Sequence, residues 1–496
     1  LETKYERYLK VTVKQAGMIF STRVIGYLLG FALQVMFARF LGADLYGLYA
    51  LGLTVTNVGV LFSVLGMSSG AVRFLGEYLG KQEFGKVKAL LKIIFSTSVL
   101  ISIASSVLLV VFRKQLASVF NEPRLEGILL WFSFVLALYT IMNVLVGVFQ
   151  GFKKPALFTF YKEVLERILR MAVFGVLYLL GLKLTGAVLA TVVSTAVVVG
   201  FLLFNLRKIL RPIQDVQNDS INAREFFSYS LSMLFVGFTY FLMGQVNQLI
   251  LGIFSDSRSV GLYAVSNTVS QLLVFFLGSF NMIFAPIISE LYHTNQRETL
   301  SNMYSNLTRW IVSLTVPLFL WIITFPEEIL SIFGKDYTQA KNALILLSVG
   351  QLVNAAVGSN GLLLSMTKYQ KYEMLNGILV ASLNIVLNIL LVPRYGVLGS
   401  AVGGSLAIAT VNIIKMIEVY LALRMFPYNL RYIKPIVSGA AVWIVLMLLK
   451  QFSQGITLLL LGLVSSFAVM FLGLVLLGLF EEDKVILKSV LGRVKR

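Results

Sequence analysis
The chain of 496 residues has no cysteine and one histidine, His293. Without thiols there can be no disulfide, thiolate nucleophile or cysteine-ligated zinc, and one imidazole cannot form a histidine metal cluster. Charge is scarce as well. Only 13% of residues are Asp, Glu, Lys or Arg, about half the ~25% of ordinary soluble domains. No GxxxxGK[ST] loop occurs, so direct drive by ATP and a nucleotide partner are not expected. No pair of carboxylates falls at mid-depth in an apolar run, so no catalytic constellation is expected and the chain reads as a non-enzyme. Acidic residues are the scarcer sign, 23 against 42 Lys and Arg for a net charge of +19. In a soluble protein that excess would suggest nucleic acid. Here the charges sit in short connections between apolar runs, where the positive-inside bias of membrane proteins explains them, and no nucleic-acid partner is expected.

What is abundant is apolar: 58% of residues. A bilayer core about 30 Å thick needs roughly 20 apolar residues at 1.5 Å each. Runs of that kind lie near 16–40, 46–70, 90–112, 127–150, 159–181, 185–205, 226–254, 260–287, 308–333, 340–366, 372–393, 397–420, 433–450 and 455–480. The expectation is an all-α polytopic membrane protein with about fourteen transmembrane helices. The alternating ten-residue segments of a barrel are missing. With the N-terminus placed in the cytosol, 30 Lys and Arg fall on the cytosolic side and 10 on the other. Both termini are therefore expected in the cytosol of a cell-membrane protein. The first fourteen residues carry Lys4, Arg7, Lys10 and Lys14 and do not read as a cleavable signal peptide. The longest polar connections, around 206–225 and 288–308, run to about twenty residues, too short for a separate domain.

Self-similarity divides the chain. Gly47-Leu48-Tyr49-Ala50 recurs as Gly261-Leu262-Tyr263-Ala264, an offset of 214, and Thr54 and Val55 then match Thr268 and Val269. Glu163, Leu165, Ile168 and Leu169 match Glu373, Leu375, Ile378 and Leu379 at 210, and Gly186 matches Gly399 at 213. These matches predict a six-span lobe over 1–205, a linker over 206–225, a second lobe over 226–424, and two trailing spans with a tail over 425–496. Six spans is an even number, so the copies are parallel. Parallel repeats of this kind rock about a central cavity.

Polar residues inside apolar runs are the candidates for function. Arg23 lies about eight residues into the first run, roughly 12 Å deep. A mid-membrane Arg costs about 2.5–3.5 kcal/mol on insertion scales and faces a cavity or a partner as a rule. No carboxylate of the first two runs lies at similar depth. Because guanidinium binds phosphate oxygens in bidentate fashion, Arg23 reads as an anion-binding residue; snorkelling or capping of neighbouring carbonyls is the competing reading. Its counterpart at the repeat offset is Gly237. Asn57 and Gln271 are repeat-related, as are Gln34 and Gln248, and Gln245–Gln248 and Asn267–Gln271 share helix faces. These amides are expected either to line one cavity and bind sugar hydroxyls or to bridge helices at about 0.6 kcal/mol each. Glu163–Arg167 and Glu166–Arg170 are i, i+4 pairs read as a self-neutralised interfacial helix start, or as a cytosolic gate. Lys415 and Glu418 read as an i, i+3 structural pair. Asn384 and Asn388, with Asn376 nearby, are weak sodium candidates, since amides without a carboxylate make a poor cation site. No metal or cofactor is otherwise expected.

The stretch Phe40-Leu41-Gly42-Ala43-Asp44-Leu45-Tyr46-Gly47-Leu48-Tyr49-Ala50, followed by Leu65-Gly66-Met67-Ser68-Ser69-Gly70-Ala71-Val72-Arg73-Phe74, resembles the opening of polysaccharide transporters. These form the Wzx-type oligosaccharide flippase branch of the multidrug/oligosaccharidyl-lipid/polysaccharide (MOP) exporter superfamily. The resemblance implies a V-shaped pair of lobes that alternate between inward- and outward-open states around a cationic cavity. It implies that a lipid-linked oligosaccharide places its pyrophosphate on cavity arginines while its polyprenyl tail stays among the membrane lipids. Arg23 matches that role by position, with Arg73 as a first contact below the second span. The function so implied is translocation of polyprenyl-(pyro)phosphate-linked oligosaccharide to the outer leaflet. Membrane potential or a sodium or proton gradient would drive it, and a single chain would suffice. The alternatives are a cation-coupled multidrug exporter or a lipid II-type flippase. Relatives of the first kind hold a membrane-embedded carboxylate, of which the sequence shows none, and the second carries several cavity arginines.

Overall fold
The structure, a computed structural model, describes residues 4–217, 219–452, 455–478, 480, 482 and 483. The basic tail counted above, 484–496, lies outside the described residues. Every regular element described is helical. Nine described helices are long and apolar enough to cross a membrane, and a tenth if the bent pair Ala223–Thr239 and Phe241–Phe254 forms one span. The protein is thus an all-α, multi-pass membrane protein. Leu100, Ile103, Val107 and Val111, all exposed along one helix, make sense only against lipid.

Two compact units divide the chain, 1–264 and 265–496. The first contains α1 (Lys4–Val64), α2 (Met67–Gly80), α3 (Phe84–Val111), α4 (Arg113–Val119), α5 (Arg124–Gly151), α6 (Pro155–Phe160), α7 (Glu166–Leu179), α8 (Leu184–Leu210) and α9 (Ala223–Phe254). The unit boundary falls within α10 (Ser257–Gln271). At 1.5 Å per residue α1 would be about 92 Å long, three times the bilayer core. It is two helices. Gly42 breaks it at φ 73°, ψ 170°, a conformation open to a residue without Cβ. Phe37 packs on Tyr49 across this turn at 5.1 Å between ring centres, so the two arms fold back on each other. At the centre of the unit, α5 packs against α1, α2, α3 and α8. Met67, Leu75, Leu145, Val148, Phe149 and Leu202 are buried there. Backbones approach closely: a methyl at Gly147 would lie 2.0 Å from the Ser68 carbonyl oxygen, the small-residue packing by which membrane helices associate.

The second unit continues with α11 (Val274–His293), α12 (Arg297–Thr324), α13 (Pro326–Ser331), α14 (Lys341–Ala356), α15 (Asn360–Ser365), α16 (Gln370–Leu423), α17 (Ile433–Phe452) and α18 (Gly455–Leu476). Here α12 is the hub, touching α11, α14, α17 and α18. At about 81 Å if straight, α16 is also a hairpin, broken at Gly396 (φ 52°, ψ −126°). A methyl at Gly399 would lie 2.4 Å from the Leu391 carbonyl oxygen, and one at Gly403 would lie 3.1 Å from the Asn388 amide nitrogen. The arms therefore run antiparallel. That arrangement corrects one pairing: Lys415 reaches Glu373 on the opposite arm at 2.6 Å, while Glu418 accepts from Asn376 at 2.5 Å. The hairpin puts 373 level with 415, which spacing along one helix does not reveal.

Candidate functional site
The Gly42 end of the first unit is closed by the repeated motif. A methyl at Gly47 would lie 1.7 Å from the Ser257 carbonyl oxygen and 2.7 Å from Gly261 N; one at Gly261 would lie 2.1 Å from the Ala43 oxygen and 3.0 Å from Gly47 N. At the offset of 214, Ala43 corresponds to Ser257 and Gly47 to Gly261. The motif copies therefore contact each other reciprocally, as surfaces do across a two-fold axis. Polar groups reinforce this seam. Arg124 holds Asp44 through two bonds of 2.6 and 2.8 Å, binds both oxygens of Glu122 at 2.8 Å, and reaches Ser257 at 3.2 Å. Ser257 also donates to Asp44. The bonds from Arg124 hold the Glu122 carboxyl below the usual carboxylate range, against the opposing effect of burial.

Below the seam lies a band of amides. Thr54, about 18 Å along the helix from Gly42, sits 2.6 Å from Gln248 Oε1 and 3.2 Å from Gln245 Oε1. Gln34 on the other arm of α1 donates to the Ala264 carbonyl at 3.5 Å. Asn57 is half-buried one turn beyond Thr54. The fold thus brings Gln245 and Gln248 to α1, and adds Thr54, which entered the sequence reading only as a repeat match. In the second unit, Asn267 is half-buried and Gln271 exposed on α10.

Arg23 is exposed on the first arm of α1, about 28 Å along the helix from Gly42 and so at the middle of the arm. Gly26 and Gly30 follow on the same face. The guanidinium of Arg167 rests on them, 2.7 Å from the place a methyl of Gly30 would take, and donates to the Gly26 carbonyl. Arg167 is paired with Glu163 at 2.5 Å. Arg73 is exposed on α2, its guanidinium 4.5 Å from the Tyr229 ring centre and 5.1 Å from that of Phe74.

The sequence reading set Glu166 and Arg170 at an interfacial helix start. They are buried near the middle of the continuous helical run 155–179. Glu166 accepts from Arg170 and from Thr195 (3.0 Å); Arg170 also donates to Tyr139 (3.0 Å) and approaches Ser194 at 3.4 Å. The run starts at Pro155, earlier than the apolar stretch suggested, so its charges lie deeper. A carboxylate buried inside the protein is therefore present, and it is tied into an ion pair. A signal was available in Tyr139, Ser194 and Thr195, polar positions at matching depths of α5 and α8. In α16, Asn384 and Asn388 are buried and bonded to each other, Asn388 donating to the Asn384 side chain at 2.7 Å. Among the described residues no group of three or more His, Asp or Glu is gathered to hold a metal.

Residues 36–342 match the family described as Polysaccharide biosynthesis protein, well over half of the chain. The chain belongs to the polysaccharide biosynthesis protein family. Among relatives of this family member is the "Probable low-salt glycan biosynthesis flippase Agl15" of Haloferax volcanii, 24% identical over 79% of this chain and 80% of the relative. The "Uncharacterized membrane protein MJ1068" of Methanocaldococcus jannaschii is 21% identical over 75% of this chain and 77% of the relative. Among solved structures, the lipid II flippase MurJ in an inward closed conformation superposes with a TM-score of 0.69 at 16% identity, over 93% of this chain and 98% of MurJ. An inward-facing multidrug resistance MATE family transporter of the MOP superfamily gives 0.63 at 14% identity, over 82% and 98%. This polysaccharide biosynthesis protein therefore has the MOP-type fold.

Proposed function
We propose that the protein is a flippase that moves a polyprenyl-(pyro)phosphate-linked oligosaccharide from the cytosolic to the outer leaflet of the cell membrane by alternating access. The carrying observation is the arrangement on α1: an exposed guanidinium, Arg23, at one level and the Thr54–Gln245–Gln248 amide band at another. A phosphate suits the first and sugar hydroxyls the second. Membership of a polysaccharide biosynthesis family and the relative named as a glycan flippase support this reading. In it, fourteen spans form a V of two six-helix lobes, 1–205 and 226–424, joined by the linker 206–225, with 425–496 trailing. Both termini face the cytosol, and one chain suffices. Asn57, Asn267 and Gln271 contribute to the cavity, Arg73 makes the first headgroup contact, and the Gly47–Gly261 seam is the outer gate. Membrane potential or an ion gradient drives the cycle.

A cation-coupled exporter is favoured by one observation, the buried carboxylate of Glu166. Its bonds to Arg170 and Thr195 speak for a structural part instead. Reconstitution decides between the two readings. A fluorescent lipid-linked oligosaccharide in liposomes under a potential or sodium gradient should exchange leaflets faster than in empty liposomes. If ethidium moves and the glycolipid does not, the exporter reading replaces this one.

A further inference from the structure
The two i, i+4 ion pairs beside the first arm of α1 differ in a way that assigns them different work. Arg170 and Glu166 have side chains only 10% and 7% exposed, and every bond they make is to α5, α7 or α8. Arg167 and Glu163 are each 26% exposed. Their partner outside the pair is the backbone of α1: Arg167 donates to the Gly26 carbonyl and lies over Gly26 and Gly30, where any larger residue on α1 would displace it. Arg23 is one turn earlier on that same face, and residues three or four apart on a helix are about 5–6 Å apart. Glu163 belongs to a π-helical turn, Tyr161–Leu165, and single π turns inside helices are frequent at functional sites.

We infer that Arg167 is the second guanidinium of the headgroup site and makes that site selective for a diphosphate over a monophosphate linkage. This rests on the proposed role of Arg23. A sugar–diphosphate–lipid carries one negative charge on each phosphate, whereas a sugar–monophosphate–lipid carries one in all. Arg23 alone matches the monophosphate. Two guanidiniums on adjacent turns match the diphosphate, one for each phosphate, by bidentate bonds of the kind arginine makes to phosphate oxygens. Glu163 is the resting counter-ion. When the headgroup arrives, a phosphate oxygen takes the place of the Glu163 carboxylate on Arg167, while the bond to the Gly26 carbonyl keeps the guanidinium aimed. The exchange swaps one anion for another and leaves no buried cation without a counter-charge, which would otherwise be costly.

The test is binding of two probes to the purified full chain in detergent: a polyprenyl-diphosphate monosaccharide and its polyprenyl-monophosphate counterpart, with inorganic pyrophosphate as competitor. Glu163→Gln removes the competing anion and should tighten diphosphate binding about tenfold, the equivalent of about one charge-assisted bond, with monophosphate binding nearly unchanged. Arg167→Gln should weaken the diphosphate probe by a similar factor and spare the monophosphate. Arg23→Gln should weaken both. A merely structural ion pair predicts no gain in affinity from Glu163→Gln, and that result, or equal loss of both probes with Arg167→Gln, overturns the inference. If Arg167→Gln fails to fold, the Glu163→Gln gain still decides. Failure of the wild-type chain to bind either probe defeats the Arg23 reading itself. Competition by pyrophosphate distinguishes recognition of the diphosphate group from recognition of the lipid tail.

Discussion
The hairpins α1 and α16 are built alike and spend their polar groups differently. Each is far too long for one span, each turns on a glycine with positive φ, and each packs its arms in antiparallel contact. In α16 the charged and amide pairs lie across the hairpin or along an arm, Glu373 with Lys415, Asn376 with Glu418 and Asn384 with Asn388, with Ser405 reaching outward to the Leu346 carbonyl of α14. In α1 they point to other helices. Asp44 goes to Arg124 and Ser257, Thr54 to α9, Gln34 to α10, and the Gly26 carbonyl to Arg167. A hairpin that satisfies most of its charged and amide groups itself depends less on its neighbours to hold its shape. One that satisfies itself through neighbours can exchange partners, which alternating access requires.

The contrast can be broken from either side. The largest effect is expected at Arg23: Arg23→Ala should abolish transport in liposomes with thermal stability nearly unchanged, and Arg23→Lys should recover only part, since ammonium lacks the bidentate fork. Well-folded Arg23→Ala protein that transports at the wild-type rate would remove α1 from the mechanism. Next are the glycines. Overpacking costs about 1–3 kcal/mol, but the two hairpins should register it in different measurements. Gly399→Ala pushes one arm of α16 off the other and should lower the melting temperature and the folded yield. Gly47→Ala opens the contact with Ser257 and should mainly expose the seam, read by labelling a cysteine placed at Ser257 in this naturally cysteine-free chain. Equal losses of folded yield in both would erase the distinction.

A smaller effect is expected from a double-mutant cycle of Glu373→Gln and Lys415→Met in thermal unfolding. Their coupling should fall at about 0.5–3 kcal/mol, the range for contacting groups. The corresponding cycle with Lys415 and Glu418 should give near zero. The smallest concerns pH. The Glu122 carboxyl is held below its usual range by Arg124, so its contribution is complete above the unfolded value of about 4.3 and is lost as pH falls towards the lower folded value. Labelling at a cysteine in place of Ser257, taken as a ratio to a fully exposed reference cysteine to cancel the loss of thiolate with falling pH, should be flat from pH 8 to 5 and rise only below about pH 4. A rise near pH 6 would point to a different group.

Much of this was legible in the chain. Apolar runs locate the helices because a bilayer demands about twenty such residues each, and the repeated Gly-Leu-Tyr-Ala marks the seam. The copies' contact with each other was not legible, since similarity does not imply adjacency. Likewise Lys415 had two acidic candidates, and only the turn at Gly396 selects Glu373. Glu166 and Arg170 look interfacial while the helix is taken to start at the apolar residues; Pro155 begins it earlier and carries them into the interior. Arg23 stood out from charge alone, but Arg167 acquires its place through Gly26 and Gly30, whose missing side chains make room for a group on another helix.

The π turn at Tyr161–Leu165 has a genetic consequence. A turn of this kind holds one residue more than the α-helix around it requires, and each residue of an α-helix advances the chain by about 100°. Losing a single codon inside the π turn would restore regular winding and keep Pro155–Phe160 in phase with Glu166 and Arg170, whereas losing one elsewhere in the run 155–179 would swing the two parts through that angle. Loops elsewhere in the chain can lengthen or shorten at little cost. A one-residue deletion in the rest of this run should be as damaging as the loss of a charged side chain, and one inside the π turn should be tolerated.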